Sequence, residues 1–477
     1  MNILVRIRER IGTRRRQMGQ TSLLGILLAL AAAASAQTPT ALDRYVTAAD
    51  PSFRYQLVAE RKGPGVTTFV LEMTSQTWRS PKEVDRTEWQ HWLTVIRPDE
   101  VKSSISLLLI GGGSNTSQPP QVADPLLTAI AAETKTVVGE VRMVPNQPLV
   151  FVGDEARPRT EDALVAYTWD KFLRGGDDYW PARLPMTKAA VRAMDAITAF
   201  CASAQGGSVK VDRFVVTGAS KRGWTAWTTA AVDRRVVAIA PMVFDALNLE
   251  KSLDHHYRAY GFFAPAVRDY TDMHIMDWFG TPPARALLAI EDPYSYRDRL
   301  TMPKFLIDAG GDQFFLPDSS QFYFDDLKGE KHLRYVPNAD HSLSGSDARD
   351  SLAAFYQSIV DGGSRPKYSW KFENDGSIQV TIVDRPVQVK LWQAANPMAR
   401  DFRLAAIGAA WRSVDLQPSK PNVYIARVTP PAQGWTACFV EMTFPGSGKY
   451  PLKFTTPVRV LPDTLPSAPY KPVPPAK

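Results

Sequence analysis

The chain has 477 residues, of which 44% are hydrophobic and 22% charged. This balance is typical of a soluble globular protein and excludes a disordered or fibrous chain. The net charge is +7, but residues 1–36 contribute +5 of it through six arginines and one glutamate. The rest of the chain is therefore close to neutral, which gives no electrostatic case for nucleic acid or an anionic membrane as a partner.

Residues 1–36 have the pattern of an export signal. Arginines precede an apolar run at 23–34, which ends at the small residues Ala34, Ser35 and Ala36. This three-part pattern predicts a secretory signal peptide cleaved after Ala36. The run is shorter than the roughly 20 residues that span a bilayer, so we expect a periplasmic or secreted protein with no stable membrane span after cleavage. The arginines at 14–16 leave the Sec and twin-arginine routes both open.

The next segments predict a parallel sheet that follows an antiparallel lead-in. Residues 37–100 are β-rich and partly alternating, as in antiparallel strands. From residue 103, short apolar runs alternate with helical stretches, which is typical of a parallel sheet covered on both faces. The predicted strands are 105–110, 136–141, 214–217, 236–243, 304–309 and 333–336, and the predicted helices are 160–173, 187–204, 221–232, 319–327 and 346–361.

Two segments depart from this alternation. Residues 245–300 are rich in aromatic residues and predict a helical insertion, or lid, over the C-terminal edge of the sheet. Beyond residue 365, short strands separated by Gly, Pro and Asn predict an all-β sandwich at 366–462, and a Pro-rich tail at 463–477 is expected to be loose. The predicted main α/β domain is therefore 37–365.

The sequence GASKRG at 218–223 lies between a predicted strand and a predicted helix. In α/β-hydrolases the nucleophilic serine stands on such a turn, with small residues around it because the backbone is strained and tightly packed. We therefore expect Ser220 to be a nucleophile. The usual pattern is G-x-S-x-G, whereas the second glycine here comes one place later. A serine that merely caps an ordinary helix remains the alternative.

The candidate partners of Ser220 follow in the order that this fold requires, which is serine, acid and then histidine. Asp312 comes directly after the predicted strand 304–309, and His341 comes after the strand 333–336. Both positions are at the C-terminal ends of strands, where α/β sheets place their sites. We expect His341 to be the base and Asp312 to orient it. Asp318 is the alternative acid, although it is also placed to cap a helix that begins at Ser319.

The oxyanion of an acyl-transfer reaction needs backbone donors close to the nucleophile. The N–H of Lys221 is one candidate, because it lies at a helix N-terminus. The others belong to Gly112 and Gly113, in the glycine-rich loop after the strand 105–110. The side chain of Lys221 opposes the helix dipole, so we expect it to point to solvent or to face an anionic group of the substrate.

The insertion holds the sequence DHHYR at 254–258. Adjacent histidines on a helix point about 100° apart, so they rarely ligate one metal ion, and no metal site is expected. We expect a substrate pocket lined by a set of polar and aromatic side chains, with core packing as the alternative: Asn115, His255, His256, Arg258 and Trp278. The two cysteines, Cys201 and Cys438, are expected to be buried thiols, with a disulfide as the alternative.

Five motifs together resemble one family, the PhoPQ-activated pathogenicity-related proteins. They are MVPNQPL at 143–149, GASKRGW at 218–224, HHYRAY at 255–260, DPYSY at 292–296 and GDQFFLP at 311–317. The resemblance runs from about Ala41 to beyond Phe355, and it implies an exported α/β-hydrolase similar to the autocrine proliferation repressor proteins of eukaryotic microbes. The family commonly has glycine where this chain has Asp340. The basic residue after Ser220 also resembles glucuronoyl esterases.

The sequence thus predicts an α/β-hydrolase with a mostly parallel sheet, a helical lid and a C-terminal all-β sandwich. We expect an exported serine hydrolase, esterase-like or peptidase-like, that cleaves an ester or amide of a small-molecule or peptide substrate without a cofactor. The alternatives are a serine peptidase of the aminopeptidase or dipeptidyl-peptidase type, and a non-catalytic binding or signalling protein that retains the fold.

Overall fold

The computed structural model describes residues 38–475 of the chain. The predicted export signal and its cleavage site lie outside these residues. In the described part, we find no helix that combines the length and the apolar character needed to cross a bilayer. Both cysteines are free and buried, so the expectation of two buried thiols is confirmed.

The strands follow the apolar pattern of the sequence, most clearly where a strand is buried on both faces, as at Ile105–Ile110. In chain order they are β1 (Arg54–Gly63), β2 (Val66–Thr77), β3 (Glu88–Pro98), β4 (Ile105–Ile110), β5 (Val138–Val141), β6 (Leu149–Val150), β7 (Pro158–Arg159), β8 (Arg213–Ala219), β9 (Val236–Met242), β10 (Lys304–Ala309), β11 (Lys331–Val336), β12 (Tyr368–Phe372), β13 (Ile378–Ile382), β14 (Gln388–Asn396), β15 (Arg412–Asp415), β16 (Pro418–Lys420), β17 (Val423–Ala426), β18 (Trp435–Phe444), β19 (Leu452–Thr455) and β20 (Arg459–Leu461).

The α-helices lie mainly between the strands of the central sheet. In chain order they are α1 (Ala41–Thr47), α2 (Pro125–Thr134), α3 (Glu161–Leu173), α4 (Arg183–Ala202), α5 (Lys221–Val232), α6 (Leu249–Tyr260), α7 (Arg268–Asp272), α8 (Pro282–Glu291), α9 (Ala348–Val360) and α10 (Leu404–Ile407). Short 3₁₀ segments occur at Pro265–Val267, Ile275–Trp278, Pro293–Tyr296 and Ser319–Phe322.

The central sheet has the strand order β1-β2-β3-β5-β4-β8-β9-β10-β11. Strands β5, β4, β8, β9, β10 and β11 are mutually parallel, whereas β1, β2 and β3 pair antiparallel. Since β5 lies on one side of β4 and β8 on the other, a crevice opens at the C-terminal ends of β4 and β8. This is the α/β-hydrolase fold, and it confirms the predicted fold class.

Strands β4 and β10 have the predicted bounds, and the other four predicted parallel strands agree within two residues. The helix predicted at 319–327 is wrong, because only a 3₁₀ turn forms at Ser319–Phe322. Asp318 does not cap it, since its carboxylate is bound to His255 and Arg400 instead. Helix α2 was not among the predicted helices; it begins after Asp124, whose carboxylate accepts two backbone N–H groups.

The insertion between β9 and β10 is helical, as predicted. It contains α6, α7 and α8 together with the 3₁₀ segments Pro265–Val267, Ile275–Trp278 and Pro293–Tyr296. It follows the C-terminal end of β9, so it starts at the edge of the sheet that also holds the ends of β8 and β10. We refer to residues 245–300 as the lid.

The C-terminal region is antiparallel and mainly β, as predicted, although it also contains the short helix α10. Its strands divide between a four-stranded sheet, β12-β13-β17-β16, and the series β19-β18-β14-β15, which continues the central sheet through the pairing of β11 with β19 and carries β20 beside β18. Side chains from both sheets share one apolar core with the helix α9. The predicted boundary near residue 366 therefore marks a change of strand direction within one compact unit that extends from Ala41 onward.

The described part of the Pro-rich tail packs on the lid, in contrast to the loose tail that was predicted. The Tyr470 ring lies 5.0 Å from the Tyr257 ring and 4.9 Å from the Phe263 ring, centroid to centroid. Its hydroxyl donates to Asp277 at 2.5 Å, and the N–H of Ser467 donates to the carbonyl of Arg258 at 3.0 Å. Aromatic contacts and a charge-assisted hydrogen bond therefore hold the tail to two separate pieces of the lid.

Candidate active site

Ser220 stands on a strained turn between β8 and α5. Its backbone has φ 57° and ψ −125°, a conformation that residues other than glycine rarely adopt. A Cβ on Gly218 would lie 2.7 Å from the backbone of Arg222, and one on Gly223 would lie 2.8 Å from the carbonyl oxygen of Met242. Both positions therefore require glycine. The second glycine comes three residues after Ser220 because that is where α5 meets the end of β9.

Asp312, which is buried, and His341, which is partly buried, form a pair on the loops that follow β10 and β11. The Nδ1 atom of His341 lies 2.7 Å from Oδ2 of Asp312. The other carboxylate oxygen of Asp312 accepts the N–H groups of Phe314 and Phe315, at 2.7 and 3.3 Å. The Asp312 carboxylate is thus fixed from both sides, and it fixes the orientation of the imidazole.

The second nitrogen of His341, Nε2, is buried and has no hydrogen-bond partner among residues 38–475. The Phe314 ring packs on the imidazole with 4.3 Å between centroids. Phe314 and Phe315 line the same cavity as Ser220. Asp340, by contrast, turns away from this site: its carboxylate accepts the N–H and the hydroxyl of Ser342, which lowers its pKa.

The glycine loop after β4 lies beside Ser220 because Ile110 pairs with Gly218 across β4 and β8. The carbonyl of Gly112 accepts the N–H of Met143 at 2.9 Å, and that of Gly113 accepts Nε2 of Gln147 at 3.1 Å. The N–H groups of both glycines find no acceptor among the described residues. The carbonyls of Gly112 and Gly113 therefore bind the neighbouring loop. Their two N–H groups have no acceptor within the described residues and can donate to a bound group.

Arg222 and Glu161 brace this loop from the other side. The Nε atom of Arg222 donates to the carbonyl of Val144 at 2.6 Å, and its two terminal nitrogens bind the Glu161 carboxylate at 2.8 and 2.6 Å. Glu161 also accepts Nε2 of Gln147 at 2.6 Å. Burial raises the pKa of Glu161, but Arg222, Lys221 and Gln147 outweigh it and lower the pKa to about 2. We call Arg222, Glu161 and Gln147 the brace.

The side chain of Lys221 does not adopt the solvent-exposed arrangement, the first of the two that were expected. It is only 7% exposed, so it does not point to solvent. Its Nζ lies 2.7 Å from the carboxylate of Asp162 and 3.2 Å from that of Glu161. Asp162 in turn accepts the hydroxyl of Tyr270 at 2.9 Å. A cation at the N-terminus of α5 is unfavourable because it opposes the helix dipole. Here the two carboxylates in the first turn of α3 compensate its charge.

A largely apolar cavity opens beside Ser220, between the sheet edge and the lid. Its walls carry the polar groups of Asp162 and Lys221 on one side and apolar or aromatic side chains elsewhere. The lining residues are Asp162, Trp169, Ser220, Lys221, Trp224, Phe244, Leu249, Leu253, Val267, Tyr270, Ile275, Met276, Phe314 and Phe315. Such a pocket of aromatic residues with few polar groups is typical of a small-molecule site.

The five residues that were predicted to line the substrate pocket are not in the lining of this cavity. Their partners explain why, since most of their polar atoms are engaged elsewhere. Asn115 donates to the carbonyl of Pro148, His255 binds Asp318, His256 accepts the N–H of Ala264, Arg258 lies near Asp254, and Trp278 is buried in the lid. Burial lowers the pKa of His256 to about 3, so it is a neutral acceptor within the core.

Asp318, the alternative triad acid, belongs to a separate buried group. Its carboxylate lies 3.1 Å from Nε2 of His255 and 2.6 Å from a guanidinium nitrogen of Arg400. Burial raises the pKa of Asp318, but His255 and Arg400 outweigh it and hold the pKa well below the ordinary value. This group joins the lid helix α6, the loop after β10 and the C-terminal region, and it does not contact His341.

Apolar lid residues form much of the pocket, and sequence reasoning missed them. Leu249 and Leu253 lie one helical turn apart on α6, which places both on one face. That spacing was the available signal, whereas the sequence analysis selected the polar residues of the DHHYR motif instead. In the part of the chain that the structure describes, no group of three His, Cys, Asp or Glu side chains is arranged to hold a metal ion.

Two solved structures are similar to this chain at low sequence identity. Among solved structures, it is similar to acetyl xylan esterase 1 from Thermoanaerobacterium sp. JW/SL YS485, at 14% identity and a TM-score of 0.45, over 67% of this chain and 92% of that one. It is also similar to the acylaminoacyl peptidase of Pyrococcus horikoshii, at 12% identity and a TM-score of 0.38, over 65% and 49%.

Two sequence relationships are stronger. Autocrine proliferation repressor protein A of Dictyostelium discoideum is 38% identical over 474 residues, which span 93% of this chain and 95% of the relative. The family model described as PhoPQ-activated pathogenicity-related protein matches residues 42–403. The chain therefore belongs to the PhoPQ-activated pathogenicity-related protein family.

Proposed function

We propose that this protein is an exported serine hydrolase that cleaves an ester or amide through an acyl-enzyme. One observation carries the proposal: His341 is bound through Nδ1 to the buried carboxylate of Asp312, while its Nε2 is buried and has no partner in the described part of the chain. An imidazole whose Nδ1–H is bound to a carboxylate can act as a general base, because its Nε2 is then free to accept a proton from another group. Ser220, on the strained turn at the same edge of the sheet, is the proposed donor. Within residues 38–475 no hydrogen bond yet joins its hydroxyl to Nε2, so the proposal requires the two groups to close up when substrate binds.

The proposed reaction uses the groups already described. His341 takes the proton of Ser220 as the hydroxyl oxygen attacks the substrate carbonyl, and Asp312 stabilises the imidazolium that forms. The N–H groups of Lys221, Gly112 and Gly113 stabilise the oxyanion, since the first begins a helix and the other two have no acceptor within residues 38–475. His341 then protonates the leaving group, and water releases the acyl group from Ser220. The export signal predicted at 1–36 supports a periplasmic or secreted location for this activity.

A peptidase that recognises a free amino terminus is the first alternative. Such an enzyme needs carboxylates that are free to bind an ammonium group near the nucleophile. Glu161 and Asp162 are adjacent and close to Ser220, but Arg222 and Lys221 already neutralise them. This arrangement favours the general esterase or amidase function over the amino-terminal peptidase.

A non-catalytic signalling role is the second alternative. The name of the Dictyostelium relative describes repression of proliferation and not catalysis. The pairing of Asp312 with His341 favours catalysis. A histidine with a purely structural role is expected to use both ring nitrogens, whereas Nε2 of His341 has no partner among the residues that the structure describes.

Turnover of p-nitrophenyl acetate by the purified mature protein tests the proposal. Wild type is expected to hydrolyse the ester, and Ser220→Ala and His341→Ala are expected to lose at least about 10³-fold in kcat. Ser342→Ala is the matched control, since this exposed hydroxyl bonds to the Asp340 carboxylate and to the N–H of Ser344 and does not line the cavity. A folded wild type without activity, or a Ser220→Ala variant as active as wild type, would overturn the proposal.

A further inference from the structure

The cavity beside Ser220 is built to desolvate whatever group enters it. Trp224 and Phe244 stack at 4.5 Å between ring centroids and form the wall on the sheet side. Leu253 and Met276 close the cavity from the lid. A group held between these walls loses its contact with water, so an apolar group is stabilised there and a charged one is penalised unless it finds a free countercharge.

The only charged side chains in the lining, within residues 38–475, already neutralise each other. Asp162 accepts a hydrogen bond from Nζ of Lys221 at 2.7 Å and from the hydroxyl of Tyr270 at 2.9 Å. Behind them, Glu161 binds Arg222 and also approaches Lys221 at 3.2 Å. Two carboxylates thus face two cations, and the polar wall carries no net charge.

We propose that this pocket binds the uncharged, apolar acyl group of the substrate, and that Asp162 determines this specificity by cancelling the charge of Lys221. The inference rests on the proposed role of Ser220 as the nucleophile. An anionic acyl group would require Lys221 to be free, and a cationic one would require Asp162 to be free. Either group would have to break the Lys221–Asp162 pair and leave one buried charge without its partner, which is costly.

Three ethyl esters with a four-carbon acyl chain separate these cases. Ethyl butyrate is uncharged, monoethyl succinate is anionic, and ethyl 4-(trimethylammonio)butyrate is cationic, and release of each acid can be followed by chromatography. We expect kcat/KM for ethyl butyrate to exceed that for each charged ester by about 100-fold, since an unpaired buried charge costs at least as much as an unsatisfied polar group.

The substitution Asp162→Asn tests the assigned residue. It keeps the shape of the side chain but leaves Lys221 with an excess positive charge, so the preference for ethyl butyrate over monoethyl succinate should narrow by about tenfold, with no gain for the cationic ester. Asp272→Asn is the control, because it removes an exposed lid carboxylate that binds Arg268 outside the cavity. This control should keep the wild-type preference.

Reaction of every variant with a fluorophosphonate separates this inference from the proposed function. If wild type is labelled but hydrolyses a charged ester as well as ethyl butyrate, or fails to hydrolyse ethyl butyrate, the specificity inference is overturned while the serine nucleophile stands. An unchanged preference in a labelled Asp162→Asn variant overturns the role of Asp162. If wild type is not labelled, the proposed function fails and the inference fails with it.

Discussion

The imidazole of His341 is bound on one side only: Nδ1 lies 2.7 Å from the Asp312 carboxylate, and Nε2 is buried with no partner among the described residues. Because the Asp312 carboxylate accepts a hydrogen bond from Nδ1–H, the tautomer with an acceptor at Nε2 is favoured. Two backbone N–H groups hold the other carboxylate oxygen. The pair is therefore pre-set for proton transfer from a hydroxyl at the end of β8.

Asp312→Asn should reduce kcat by about 10⁴-fold, because an amide at this position donates to Nδ1 and favours the wrong tautomer of His341. The protein should remain folded, since the asparagine fills the same space. Hydrolysis of p-nitrophenyl acetate together with circular dichroism checks both statements. Asp340→Asn is the control next to the histidine in sequence, and its activity should stay within a few-fold of wild type. Equal losses in the two variants would contradict the role of Asp312.

Asp318→Asn should affect stability and not the chemistry of His341. It removes the charge that partners His255 and Arg400 in a buried group, and breaking a buried ion pair of this kind costs about 3–5 kcal/mol. Urea unfolding should therefore show a large fall in the free energy of unfolding. The folded fraction should retain a near-normal kcat. Loss of kcat as deep as that of Asp312→Asn, without loss of stability, would instead identify Asp318 as the triad acid.

The brace should act on kcat and leave KM nearly unchanged. In Arg222→Ala the glycine loop loses its support at Val144 and Glu161, so its two open N–H groups shift, and a displacement of about 1 Å costs about 10²-fold. Arg222→Lys should restore little, because lysine cannot bind Glu161 through two nitrogens at once. Steady-state measurement of kcat and KM for wild type, Arg222→Ala and Arg222→Lys tests this prediction. Full rescue by lysine, or a loss confined to KM, would argue against a positioning role.

Glu161 should make the stability of the protein depend on pH in the acid range. Its pKa is lowered from 4.5 to about 2 by Arg222, Lys221 and Gln147, against the opposing effect of burial. A lowered pKa means that the stabilisation is fully present above pH 4.5 and is lost as the pH falls from 4.5 towards 2. Urea midpoints measured between pH 6 and pH 2.5 should therefore decline less steeply in Glu161→Gln. Glu60→Gln, at an exposed position of β1, is the control, and its urea midpoint should decline with falling pH as steeply as that of wild type.

The tail should stabilise the lid. Tyr470→Ala removes ring contacts with Tyr257 and Phe263 and the hydrogen bond to Asp277. A loss of about 1–3 kcal/mol in the free energy of unfolding is expected. Val473→Ala is the control, because that side chain is 74% exposed and the substitution keeps its backbone. Equal thermal stability of both variants would mean that the tail does not hold the lid.

The strands of the sheet and the order of the candidate triad could be predicted from the sequence because both depend on local signals. Strands β4 and β10 are short apolar runs with clear ends, and Asp312 and His341 follow directly after their strands. The partner of Lys221 could not be predicted, since Asp162 lies 59 residues away and only the tertiary fold brings the first turns of α3 and α5 together. The same holds for Tyr470, whose ring partners lie more than 200 residues earlier. The polar motif at 254–258 misled the pocket prediction because its histidines serve buried contacts.

The most direct test of the central claim is the site of phosphonylation by a fluorophosphonate, mapped by peptide mass spectrometry. The mature wild-type protein should carry one adduct, on Ser220. Ser220→Ala should carry none, His341→Ala should react at least about 10³-fold more slowly, and Ser342→Ala should react like wild type. Absence of an adduct from the folded wild-type protein, or an adduct on another residue that persists in Ser220→Ala, would contradict the account.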